Sequence, residues 1–131
     1  MKEIVLLLMA TMMFSLAGCP SSTVTPTSTV SVAQDTATNS LYAIGVTLQA
    51  APQILDALYT SGKITKDTYN QAVPIYNQAL ASYNLAVNAL KAAVVAGQDP
   101  TRNVAYVTAL QTFLTDKANI DNLITAAGGT K

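Results

Sequence analysis

The chain has 131 residues, seven basic and seven acidic side chains, no histidine, no tryptophan and a single cysteine, Cys19. Its length bounds it to one domain with a small core, and a zero net charge with scattered cations argues against nucleic-acid binding, which needs a basic face to neutralise phosphates. One cysteine closes no disulfide within the chain, so the domain has to stand on its packing.

The N-terminal stretch MKEIVLLLMATMMFSLAGC places Lys2 ahead of an apolar run from Ile4 to Leu16. That run is shorter than the roughly 20 residues of a spanning helix, which predicts a signal sequence over residues 1–18. Leu16-Ala17-Gly18-Cys19 resembles the lipobox of bacterial lipoproteins. The resemblance implies that the thiol is diacylglycerylated, that cleavage precedes the cysteine and that the new amino group is usually acylated as well, so Cys19 becomes the lipidated mature N-terminus. One acyl chain holds a protein to a bilayer only marginally, whereas two or three anchor it durably. The alternatives are a secretory signal with a chance cysteine, or a buried core cysteine.

Residues 20–32, PSSTVTPTSTVSV, are uncharged and rich in Ser, Thr and Pro, which predicts a flexible solvated tether over 19–32. From Ala33 the composition turns to Ala, Leu, Ile and Val at helical spacing, and residues 33–131 predict an all-α, antiparallel three-helix bundle. Its first helix, about 35–60, has a stripe of Leu41, Ile44, Leu48, Ala51, Leu55 and Leu58, with Asp35, Asn39 or Ser40 as the cap and Ser61-Gly62 as the stop. The second, about 66–96, opens on Thr65 as N-cap and ends at Gly97. The third, about 100–127, is capped by Asp99 with Pro100 at its first position and stops at Gly128-Gly129. Its apolar side carries Val107, Leu110, Phe113, Leu114, Ile120, Leu123 and Ile124, with Lys117 expected at the edge, its stem on apolar surface and its ammonium in water.

The middle helix contains a seven-residue repeat, YNQAVPI, YNQALAS, YNLAVNA, LKAAVVA. Tyr69, Tyr76, Tyr83 and Leu90 fill the first position, Ala72, Ala79, Ala86 and Ala93 the fourth, and Val73, Leu80, Val87 and Val94 the fifth, three positions expected on one face. Asn70, Asn77, Asn84 and Asn88 fall outside that stripe and are expected outward. Two uses of the face compete. Either it is the core of the bundle with tyrosines at its seams, or Tyr69, Tyr76 and Tyr83 form an interaction face for a second chain or an envelope protein. Burying three amphipathic helices inside one chain has the first claim, so a monomer is favoured over a coiled-coil oligomer. Interior prolines at Pro52 and Pro74 each remove a helix hydrogen bond; lying nearly equidistant from the turn near Gly62, they predict matched bends at one level.

Chemistry is sparse. Past residue 18 there are six Asp, five Lys, one Arg, no Glu and no His. That set provides no paired carboxylates at helical spacing, no transition-metal ligand set, no calcium loop and no glycine-rich phosphate loop, so no catalytic, cofactor or metal site is expected and no enzyme. The whole chain resembles small bacterial or phage-encoded membrane lipoproteins with an alanine-rich helical domain. The expectation is therefore a tethered structural or protein-interaction module of the cell envelope, with the lipid bilayer as its partner through Cys19. In a cell with two membranes the periplasmic face of the outer membrane is favoured, because Pro20 is not the aspartate that signals inner-membrane retention in enteric bacteria. The alternatives are a prophage-encoded lipoprotein that excludes other phages or blocks a receptor, and a wall-linked lipoprotein joined through the C-terminal Lys131.

Overall fold

The computed structural model describes residues 27–129. The signal sequence, Cys19 and Lys131 lie outside the described residues. Among those described there are three α-helices, α1 (Thr27–Thr60), α2 (Lys66–Val95) and α3 (Val104–Ala126), with one turn of 3-10 helix at Pro100–Arg102 and no strand. They form the antiparallel three-helix bundle that the periodicity predicts. None of these helices is long and apolar enough to cross a membrane.

All three stops fall at the expected glycines, and by one device. Each helix closes with paired backbone bonds: Lys63 N to Leu58 O and Gly62 N to Tyr59 O, Gln98 N to Ala93 O and Gly97 N to Val94 O, Gly129 N to Ile124 O and Gly128 N to Thr125 O. This double closure needs a left-handed residue just past the helix, which glycine adopts without steric cost. Gly62, Gly97 and Gly128 supply it, with φ of 72°, 65° and 77°.

Two starts differ from expectation. Helix α1 begins at Thr27, inside the span read as tether and before Asp35, Asn39 and Ser40, which are exposed helix residues rather than caps. The reason is cooperative growth: once Ala37 and Leu41 are buried, each further turn adds hydrogen bonds without a new nucleus, and Ser, Thr and Val cost less than about 1 kcal/mol apiece. A tertiary bond from Gln34 Nε2 to Gln98 O, 3.0 Å, also holds this end in place. Helix α3 begins four residues later than predicted. Asp99 caps only the 3-10 turn, its carboxylate taking the Thr101 N–H at 2.9 Å, and Asn103 then caps α3 proper by accepting from Tyr106 N at 2.9 Å. Thr65 caps α2 as expected, accepting from Thr68 N at 3.2 Å.

The core lies along the common axis. Phe113, Leu48 and Ile120 are its largest fully enclosed apolar side chains, each worth about 1.5–3 kcal/mol of burial. Ala72, Ala79 and Ala86 have no exposed surface and Ala93 1 %; their small side chains let α3 approach α2 closely, and these two make the most extensive pairing in the bundle. The rest of the buried face of α2 differs from the reading. Val73 and Val94 are exposed and Leu80 and Val87 half-buried, whereas the seventh heptad position is taken inward through Ile75, Ser82 and Ala89. Two neighbouring helices, rather than one, cover α2, and α3 covers the seventh-position side. On α3, Tyr106 and Asp116 are buried while Leu114 is exposed.

Candidate interaction face along the first two helices

Five of the six tyrosines belong to the seam between α1 and α2, and helical spacing puts them there. On α1, Tyr42, Val46, Gln49, Gln53, Asp56 and Tyr59 recur at three or four residues and share a side; on α2, Tyr69, Tyr76 and Tyr83 repeat every seven. The two sets meet at both ends. Tyr69 Oη donates to Asp56 Oδ1 at 2.6 Å, and its ring lies 5.2 Å from that of Tyr59 at 38°. Toward the other end Tyr83 crosses to Gly45 of α1 and packs edge-on against Phe113 of α3, centroids 5.2 Å apart at 60°.

The three tyrosines singled out by the heptads are thus not equivalent. Tyr83 is a core residue at the junction of all three helices, 4 % exposed, while Tyr69 and Tyr76 are half-buried at the seam. The asparagines behave as expected, Asn70, Asn77, Asn84 and Asn88 all being exposed. The exposed part of the seam comes instead from residues the periodicity did not single out, Tyr42 at 53 % and Tyr59 at 43 %, with Val46 and Val73 beside them. A register argument would have found them, because pairing Tyr69 with Asp56 aligns the remaining α1 positions opposite the ladder.

The same register sets Pro52 and Pro74 at one level, each about one turn further from the connection than the Asp56–Tyr69 bond. Both helices run through their prolines unbroken.

The environment of each phenol is legible in its acidity. The bond to Asp56 is the largest cause raising Tyr69 above its ordinary value of 10.0, with burial and the nearby carboxylate charge adding to it. Burial raises Tyr76 and Tyr106. It raises Tyr83 too, reinforced by Tyr42. In each case the neutral phenol is the favoured form.

Elsewhere a few polar side chains pair across or along the helices. Gln78 Nε2 donates to buried Asp116 at 2.9 Å, bridging α2 and α3. Lys117 does not hold its ammonium in water: its side chain is 14 % exposed and Nζ meets Asp121 Oδ2 at 2.6 Å. The pair is spaced i, i+4 on α3 and lies along a shallow groove between α1 and α3. That groove, of about 440 Å³, is lined by Ala43, Ile44, Thr47, Leu114 and Ala118 beside the ion pair. Hydrogen bonds from the Thr101 side chain and backbone pull Asp99 below its ordinary value, with the Arg102 charge assisting. Among the described residues no three His, Cys, Asp or Glu side chains converge as metal ligands would, and no buried side-chain nitrogen or oxygen lacks a partner.

No protein-family model, curated protein or solved structure matches the chain.

Proposed function

We propose that the protein is a lipid-anchored module of the bacterial envelope whose helical bundle works as a structural or protein-interaction element and not as a catalyst. The observation that carries this is the position of the only cysteine, directly after Leu16-Ala17-Gly18 and the apolar run, with a self-contained bundle following it. The bundle suits a scaffold. Three of its charged groups are held by neighbours in the fold, Asp56 by Tyr69, Asp116 by Gln78 and Lys117 by Asp121, and its exposed seam offers aromatic and amide groups in register. Such a mixture of tyrosine area and adaptable polar groups is the composition that protein interfaces favour.

Metabolic labelling with a palmitate analogue tests the reading. The wild-type chain is expected to take up the label and sediment with membranes, and Cys19→Ser to lose the label. An unlabelled wild-type chain in the soluble fraction would end the proposal.

A further inference from the structure

The most exposed apolar side chains gather at one end of the bundle. Of the four most exposed large ones among the described residues, Val95 (89 %), Val104 (78 %) and Val32 (62 %) sit at one end, and only Leu85 (63 %) lies on the side. Val95 closes α2 and Val104 opens α3, while the Gln34–Gln98 bond fastens the first turns of α1, with Val32, to the segment that joins those two helices. Single exposed valines are ordinary; three gathered around one tip are less so.

This tip is also where the chain enters the bundle. Cys19 precedes Thr27 by eight residues, which at about 3.3–3.6 Å per residue can never separate the lipid from the helix by more than about 30 Å. The helix therefore starts much closer to the anchor than a tether over 19–32 would allow. The opposite end, where Gly129 packs on Leu58, points away. Charges near the tip balance, with Lys91 and Arg102 against Asp35 and Asp99. The Arg102 side chain is 88 % exposed and lies 3.8 Å from Asp99, free to reach outward.

We infer that this tip rests on the phospholipid surface that holds Cys19, with Val32, Val95 and Val104 in the interfacial layer and Arg102 at the lipid phosphates. The inference builds on the lipoprotein reading and adds an orientation to it: the bundle stands on the bilayer by its α2–α3 connection, with the tyrosine seam running up its side. Balanced charge fits a zwitterionic surface, since no cluster of cations is present to demand anionic lipid. The acyl chains already supply a durable anchor, and the valines add to it by fixing which end of the bundle faces the surface.

The absence of tryptophan provides the test. The acylated full chain carrying Val95→Trp, Val104→Trp or, as a control on the side of the bundle, Leu85→Trp is reconstituted on phosphatidylcholine–phosphatidylethanolamine vesicles. Each reporter is the sole tryptophan at a solvent-exposed site, and circular dichroism checks that the helices are retained. For positions 95 and 104 the expected result is blue-shifted emission, quenching by brominated acyl chains several-fold above that of the control, and protection from aqueous iodide. Vesicle-bound chains whose three reporters behave alike would overturn the docked tip while leaving the anchor in place. Protection from iodide without bromolipid quenching would mean that a second copy covers the tip, which overturns the inference as well. A chain that fails to float with the vesicles removes the lipoprotein reading, and the orientation falls with it.

Discussion

A Cβ on Gly45 would stand 2.5 Å from the Tyr83 hydroxyl oxygen and 2.6 Å from Cζ, so the ring can lie across α1 only because position 45 carries no side chain. Gly45→Ala is therefore expected to cost about 1–3 kcal/mol through overpacking, although alanine is the better helix former by about 1 kcal/mol. In a Tyr83→Leu background the clashing ring atoms are gone and the propensity difference alone remains, so the same substitution should turn neutral or stabilising. Urea unfolding of the four chains measures this, and equal costs in both backgrounds would show that Tyr83 is not what position 45 accommodates. The burial of Tyr83 is legible in the heptad; the role of Gly45 is not, because apolar periodicity looks for side chains and this contact depends on a missing one. Its signal is a glycine kept mid-helix where it costs stability. Asp116 left a similar trace, standing three residues after Phe113 and four before Ile120 on the buried stripe, where a carboxylate needs a partner such as Gln78.

At the level of the helix, ends are written in local chemistry and so were readable, whereas extensions are written in tertiary contacts and were not. Thr65 and the three glycines act within one turn of themselves. The extension of α1 is held by a contact that no local pattern shows, Gln34 to Gln98 64 residues away, while the late start of α3 is a local choice between two capping side chains, of which Asn103 rather than Asp99 takes the α-helix. Pro74 sets an opposing case, since it is exposed in the interior of an unbroken helix and its missing N–H leaves a carbonyl one turn back without a helical donor. Replacing it with alanine restores that bond, at some cost in unfolded-chain entropy, and Pro74→Ala should gain about 1–3 kcal/mol in thermal or urea unfolding. A loss of stability instead would mean that the proline-imposed path of α2 is itself required for packing against α1 at the level of Pro52.

The bundle as a whole contains no histidine, so no side chain with an ordinary acidity changes charge between about pH 6 and 9, and stability should be nearly flat across that window. The alkaline side is different, because Tyr69, Tyr76, Tyr83 and Tyr106 are all raised above 10.0 in the fold. For a group whose folded value exceeds its unfolded one, the unfolded chain releases its proton first as the pH climbs. Its contribution is therefore complete below the unfolded value of 10.0 and is lost as the pH rises from there through the folded values. Asp99 has the reverse sign, contributing above its unfolded value and losing that contribution in acid. Urea midpoints measured from about pH 6 to about 11.5, a range whose upper end covers the ionisation of phenols, should hold level and then fall steeply, with tyrosinate absorbance appearing alongside unfolding. Tyr76→Phe and Tyr106→Phe each remove one of the raised phenols, so each should flatten the alkaline fall relative to wild type while leaving the neutral plateau without pH dependence. A fall of equal steepness in both variants would place the alkaline sensitivity in groups other than the tyrosines that line the core and seam.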